Sequence, residues 1–227
     1  MSARDDILGA VRDALASDPT GSGARVETAD IDRRIEAHAR GPVPARTDLD
    51  ARALVDLFET QARGVDASCA RVASMGDVPA AVAAYLQAEN LPARLVMAPD
   101  TRLDAAPWDI VPLLEIRRGA PQAADEVGVT GAVGGVAETG TLVTASGPSH
   151  PATLNFVPET HVVILPAAAV KKTYEDLLDE IRTDGPLPRT INFITGPSRS
   201  GDIEQTIQLG AHGPRRLHII LVGAPDG

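Results

Sequence analysis

Apolar residues follow two rhythms along this chain, and the change between them outlines the fold. Near the start they recur at helical spacing. Ile7, Leu8, Val11 and Leu15 share one face, behind Ser2 as a cap and Asp5 and Asp6 in the positively polarised first turn. Asp18-Pro19 ends that helix, and Thr20-Gly21-Ser22-Gly23 reads as a loop. A short polar helix is predicted over 31–39 and a turn or extended linker at Gly41-Pro42-Val43-Pro44. Thr47 and Asp50 stand at capping-box spacing before a helix whose apolar stripe is Leu54, Leu57 and Phe58.

From about residue 65 strand and helix signals alternate. Residues 71–73 and 94–98 read as strands and 113–116 as a weaker one. Between the first two, Asp77 caps a helix with Pro79 in its first turn and Val82, Tyr85 and Leu86 facing inward. Residues 140–144 and 161–165 are strands rich in β-branched side chains. Pro166 ends the second, and a helix is predicted over 170–181 with Val170, Tyr174, Leu177, Leu178 and Ile181 on its apolar side. A strand at 191–195 runs into a helix predicted at 200–209, and 217–222 is a last, wholly apolar strand.

That alternation predicts an α/β fold, a mostly parallel sheet with helices on both faces. Uninterrupted runs such as Val162-Val163-Ile164-Leu165 and Ile219-Ile220-Leu221-Val222 suit strands buried on both sides. No internal repeat is visible. The expected organisation is a helical extension, residues 1–64, packing on an α/β domain, residues 65–227. The helix over 47–63 fits equally well within the core.

Composition narrows the function. A chain of 227 residues with 44% hydrophobic content can build one substantial core. Its net charge of -10 argues against nucleic acid and against an anionic membrane surface, which both call for clustered cations. No signal-type segment opens the chain, and the apolar runs are far shorter than the ~20 residues of a membrane span. The expectation is a cytoplasmic protein without membrane insertion. The one cysteine, Cys69, excludes an internal disulfide and a cysteine-ligated iron–sulfur cluster, and its context reads as a small core residue.

Candidate chemistry concentrates in the last hundred or so residues. Thr195-Gly196-Pro197-Ser198-Arg199 lies between a predicted strand and a predicted helix, at what would be the carboxyl end of a sheet strand, where α/β proteins gather ligands. Gly196 allows close backbone approach, Ser198 offers a hydroxyl, Arg199 suits a carboxylate or phosphate, and the helix start adds free N–H groups. Asp202 and Glu204 would lie in the first turn as caps or as partners of Arg199. The alternative is a plain helix cap with a surface arginine. It is not a Walker A loop, lacking Gly-Lys-Ser/Thr.

Ala137-Glu138-Thr139-Gly140-Thr141 follows a glycine-rich stretch, 128–135, read as tight turns. Glu138 is the candidate catalytic carboxylate, as nucleophile, base or acceptor; the alternative is a residue that satisfies N–H groups of the turn. Thr139, Gly140 and Thr141 join it as candidate ligand contacts, with Gly196, Pro197, Ser198, Arg199 and Asp202. His212, in the turn Ala211-His212-Gly213-Pro214, either meets a ligand or is structural. His218 reads as a core histidine. His150 and His161 lack a carboxylate at metal-ligand spacing, so no metal site is predicted. No Gly-x-Ser-x-Gly elbow frames Ser146, Ser149 or Ser198.

Taken together, Gly128-Val129-Thr130, residues 137–143, His161-Val162-Val163, residues 194–204, Gly210-Ala211-His212-Gly213-Pro214 and Leu217-His218 resemble the lactate-utilisation (LUD) domain family over roughly residues 65–223. The resemblance implies a three-layer fold like that of the ribose-phosphate isomerase, glucosamine-phosphate isomerase and CoA-transferase group. It implies a part in oxidising L-lactate to pyruvate beside iron–sulfur partner proteins, this chain holding no cofactor itself. It places Glu138, Thr139, Gly140, Ser198, Arg199, Asp202 and His212 within family motifs without assigning them roles. Two departures stand out: Gly134-Gly135 before the Ala-Glu-Thr-Gly-Thr segment, and His150-Pro151-Ala152-Thr153 where an Arg and Ser are common. The leading expectation is an accessory component of lactate oxidation that binds a small carboxylate or phosphate, or its iron–sulfur partners. A CoA-transferase-like enzyme using Glu138 and a regulator without chemistry are the alternatives. Assembly into a homo-oligomer is left open.

Overall fold

A computed structural model describes residues 3–16, 28–183, 185–200 and 208–224. The chain divides into two units, Met1–Gly41 and Pro42–Gly227. The first holds helices α1 (Ala3–Ala16) and α2 (Thr28–Ala37), each amphipathic, with Ile7, Val11, Ile31 and Ile35 exposed.

The second unit opens with α3 (Ala51–Gly64), capped by the Asp50 carboxylate, which accepts from the Ala53 N–H at 2.8 Å. Strand β1 (Ser68–Val72), helix α4 (Val78–Ala88), strand β2 (Arg94–Met97), the short helix α5 (Thr101–Asp104), strand β3 (Glu115–Arg118) and strand β4 (Val127–Gly131) follow. Then come β5 (Gly134–Val136), β6 (Thr141–Ala145), β7 (Thr160–Pro166), β8 (Val170–Lys171), α6 (Tyr174–Thr183) and β9 (Ile191–Ile194). The short pair β10 (Arg199–Ser200) and β11 (Gln208–Leu209) precedes β12 (Arg216–Val222).

Six strands form a parallel sheet in the order β1-β12-β7-β4-β2-β3. The central strands β7 and β12 are the uninterrupted apolar runs, and both their faces are buried. Val162, Ile164 and Ile220 face a core completed by Val78, Val82 and Leu86 of α4 and Leu103 of α5. Val163, Leu165, Leu217, Ile219 and Leu221 face the other way, against Leu54, Val55, Phe58 and Ala62 of α3. This is the expected α/β architecture, a mostly parallel sheet flanked by helices.

One face departs from the simple scheme. Beside α3 it carries a second sheet of order β8-β5-β6-β9, mostly antiparallel, whose Val136 and Val143 pack on Leu177 and Ile181 of α6. Three expectations fail here together. The strand at 191–195 pairs antiparallel with β6 and does not join the parallel sheet. The glycine-rich stretch is two strands, not a set of turns; a side chain at Gly134 would strike Leu177 and one at Gly135 would strike Phe58. The helix predicted from Val170 starts at Tyr174, because Thr173 and Asp176 form a reciprocal cap (Thr173 N to Asp176 Oδ2 3.1 Å, Asp176 N to Thr173 Oγ1 3.3 Å), and Val170 lies in β8.

The helix predicted at 200–209 is also corrected at its ends: Ser200 and Gln208 face each other across an antiparallel ladder, and the residues between lie outside those described. Cys69 is buried in the core on the α3 side, and burial pushes its thiol up to about 11. Among the described residues no helix is long and apolar enough to cross a membrane.

Candidate functional site

Strands β7 and β12 lie in register, Leu217 beside His161, and the segments that lead into them cross the same end of the sheet. A single helical turn, Ala152–Asn155, and Phe156 lead towards β7, and Gly213-Pro214 leads into β12. The segment leaving β9 is tied across them: the Ser198 N–H donates to the Pro214 carbonyl at 2.8 Å, and the Gly210 N–H to the Ser198 carbonyl at 2.9 Å. The result is a cavity of about 210 Å³ whose walls include Asn155, Phe156, His161, Phe193, Ser198 and His212. It opens at the amino ends of β7 and β12, and residues 195–198 reach it from the carboxyl end of β9.

Two of its polar walls are incompletely satisfied. His161 is wholly buried; its Nε2 shares a 2.8 Å hydrogen bond with the Thr130 hydroxyl, and its Nδ1 has no partner. Asn155, 4% exposed, donates from Nδ2 to the Thr144 hydroxyl at 2.9 Å and leaves Oδ1 without a partner. Both atoms have essentially no accessible surface, so they are sealed behind the wall and not open to the cavity, and each carries an unmet-polar cost of roughly 1–3 kcal/mol. Thr160 Oγ1 and His218 Nε2 are likewise unmet, but they do not line the cavity.

The cavity is electrically neutral at its base. Burial, and next the charge of His150, push His161 from 6.5 down to about 3. The imidazole is therefore neutral at physiological pH and a weak base, suited to hydrogen bonding more than to proton abstraction. The wall contains no Lys or Arg among the described residues.

Of the residues singled out from sequence, Gly196, Pro197, Ser198 and His212 meet at this cavity. Arg199 does not: it is ion-paired with Asp66 in the strand β10. Asp202 and Glu204 lie outside the described residues. Glu138 sits in the turn between β5 and β6, 3.6 Å from the Arg46 guanidinium, and is not part of the cavity wall. Thr139 and Thr141 share hydrogen bonds of 2.8 and 2.9 Å with the Tyr174 hydroxyl, and Thr141 reaches Thr195 at 2.7 Å. Their hydroxyls thus brace the wall through Thr195, which lines it.

The motif glycines serve packing. Gly140 has φ +67°, and a Cβ there would stand 2.2 Å from the Ala62 nitrogen; Gly196 has φ +80°, and a Cβ would stand 2.3 Å from the Val65 carbonyl oxygen. Both motifs therefore seat against the carboxyl end of α3, which needs bare, left-handed backbone from each.

The sequence reading missed Asn155 and His161 as site residues. His161 at the head of a β-branched run signalled burial; Asn155 gave no signal. It also missed a second polar cluster at the opposite end of the sheet. β2 and β4 are neighbours whose following strands diverge, β3 to one side and β7 to the other, which makes their carboxyl ends a topological switch point. There Asp100, 4% exposed, takes hydrogen bonds from Arg102 Nε (3.0 Å) and Nη2 (2.7 Å). His150 donates from Nε2 to the Gly131 carbonyl at 2.7 Å and sets Nδ1 3.5 Å from Asp100. Burial raises the Asp100 pKa, but the Arg102 hydrogen bonds, its charge and that of His150 outweigh it and leave the group lowered. His218 shares a 2.8 Å hydrogen bond with Ser68 and stacks on Tyr85 at 3.9 Å. Among the described residues no three of His, Cys, Asp and Glu gather as a metal ion would need.

With this geometry in place, comparison with known proteins is informative. Residues 95–222 match the LUD domain family. An uncharacterised protein of Neisseria meningitidis serogroup B is 36% identical over 102 residues, 44% of this chain and 43% of that protein, so the match spans less than half of that relative's length. Lactate utilization protein C of Bacillus subtilis is 30% identical over 175 residues, 74% of this chain and 72% of its own. A crystal structure of a DUF162 family protein from Deinococcus radiodurans superposes with a TM-score of 0.59 at 22% identity, covering 77% of this chain and 99% of that one.

Proposed function

The chain belongs to the LUD domain family, and from that premise we propose that it is an accessory component of an L-lactate oxidation system, acting by binding a small ligand in the amino-end cavity. Electron transfer is assigned to iron–sulfur partner proteins. The observation that carries the binding role is the convergence of Gly196, Pro197, Ser198 and His212, from two separate stretches of sequence, on one cavity. The process comes from the relatives named for lactate utilisation; the site comes from this chain's own geometry.

An anion site at Arg199 draws no support from this geometry, since that side chain is engaged by Asp66 and lies off the cavity wall. Acyl transfer through Glu138 draws none either. Its carboxylate faces Arg46 and is separated from the cavity by the Thr139–Thr141–Thr195 hydroxyl chain.

The test is genetic. Deletion of the gene should abolish growth on L-lactate and L-lactate-dependent reduction of an artificial electron acceptor by cell extract, with growth on pyruvate intact. Complementation with the intact gene should restore both, and with H161L neither, although the variant protein accumulates. Unimpaired growth of the deletion strain on lactate would overturn the assigned process. Full rescue by H161L would overturn the assigned site.

A further inference from the structure

Where the segment leading into β3 passes α4, the surface is apolar. Ala83, Leu86 and Gln87 lie at positions i, i+3 and i+4 on one face of α4, and with Leu91 they form one wall of a groove of about 500 Å³. Residues 110–114 form the other wall, and no charged residue lines the groove. Ile110 is 53% exposed and Leu113 86%. A single exposed leucine is ordinary, but two large aliphatic side chains at the lip of an apolar groove make a continuous patch of the kind that marks an interaction surface. None of these residues lines the amino-end cavity, so the patch has a meaning apart from that site.

Charge at the two ends of the apolar segment selects the occupant. Asp109 stands immediately before Ile110 and Glu115 immediately after Leu114, and both are exposed. Neither carboxylate has an ion pair or a hydrogen bond among the described residues. The acids of adjoining segments are already matched: Glu89 meets Arg216 at 3.5 Å and Glu126 meets Arg94 at 3.1 Å. An apolar strip with an unmatched carboxylate at each end is complementary to an apolar strip with a cation at each end. A second copy of this chain does not meet that description. A two-fold contact would bring the same patch against itself, gather four carboxylates in one interface and bring together two chains of net charge -10.

We infer that this groove docks an amphipathic helix of a partner protein. Its apolar side chains, at i, i+3 or i+4 and i+7, seat between α4 and residues 110–114, and Lys or Arg on either side of them meets Asp109 and Glu115. A helix suits the site because one wall is itself the face of a helix, whose side-chain ridges accept those of another. Leu113 is the central contact from the second wall.

Three labelled peptides of one helix-forming sequence test this: leucines at i, i+3 and i+7 flanked by Lys, the same leucines flanked by Glu, and the Lys-flanked peptide with its leucines replaced by Ser. Fluorescence anisotropy with the full chain should show the Lys-flanked leucine peptide binding at least tenfold tighter than either of the others, and weakening as salt is raised. D109N/E115Q should erase the preference for Lys over Glu. L113S should weaken the Lys-flanked peptide at least tenfold with no change in melting temperature, since that side chain is already in water. No binding of the Lys-flanked leucine peptide at millimolar concentration, or binding undiminished in L113S, overturns the docking surface. Equal affinity for the Lys- and Glu-flanked peptides overturns the basic partner. A dimer in sedimentation that L113S dissociates makes a second copy the occupant and overturns the inference. These outcomes are read without any small ligand, so the docking surface and the reading of the amino-end cavity can fail separately.

Discussion

The two polar clusters at opposite ends of the parallel sheet differ in one respect that matters: whether their bonds are complete. At the carboxyl end, Arg102 donates to Asp100, and His150 donates to the carbonyl of Gly131 with its Nδ1 3.5 Å from Asp100. At the amino end, His161 and Asn155 each keep one buried atom unpaired beside a cavity. The first arrangement fixes the ends of β2 and β4 and leaves part of the Arg102 guanidinium exposed. The second leaves two atoms unmet behind the wall of a cavity. Position in the fold points the other way, since the carboxyl end at a switch point is the customary ligand crevice of open α/β sheets. The meeting of separate motif residues at one cavity is the stronger guide here, because it concerns the particular side chains present.

The strongest way to break the comparison is to collapse one end only. G196A forces a side chain into left-handed backbone and against the Val65 carbonyl, and should cost about 3 kcal/mol in urea unfolding. It should also abolish ligand binding at the amino end. A loss below about 1 kcal/mol would mean that the segment is not held against α3.

D100A attacks the other end. It removes the acceptor of the Arg102 guanidinium and of the Arg102 N–H and should cost about 1–3 kcal/mol, with the amino-end cavity unchanged. A D100A protein of ordinary stability that no longer supports growth on lactate would make the carboxyl end the functional site and reverse the comparison.

Acid should expose the buried histidines. His161 is held at about 3 and His218 at about 4, burial being the main cause in both, against 6.5 when unfolded. The unfolded chain then takes up protons that the folded chain refuses. Stability is full above about pH 6.5 and falls as pH drops towards 4. H161L should shallow that fall, at a cost at pH 7.5 of about 1–3 kcal/mol from the Thr130 hydroxyl it leaves unmet. A slope identical to wild type would show that His161 does not stay neutral in the fold.

The smallest effect is expected at Arg199. R199A removes an ion pair with an exposed partner and should change stability by less than about 0.5 kcal/mol, leaving ligand affinity intact. Loss of binding in that variant would restore a cation to the site.

Much of the architecture was legible in the sequence. The runs at 162–165 and 219–222 declared themselves as buried parallel strands, Leu54 and Phe58 as the inward face of a helix, and Pro79 as a helix start. The family was legible too, from spaced motifs in the right order; that Gly196, Pro197, Ser198 and His212 meet at one cavity was not. The four-stranded second sheet was not. Apolar spacing tells a strand from a helix, but not which sheet a strand joins, and Ile191–Ile194 has the same local pattern in either.

What the sequence determined by itself is therefore local: which faces are apolar and, for the strongly periodic segments, which are helical or extended. These follow from backbone and side-chain preferences within a few residues. What the tertiary structure decided is which polar atoms meet. Thr130 and His161 stand 31 positions apart and Thr141 and Thr195 stand 54 apart, joined only because β4, β6, β7 and β9 come together. The same packing sealed His161 from water and left its Nδ1 without a partner, a property of three-dimensional burial that no one-dimensional spacing encodes.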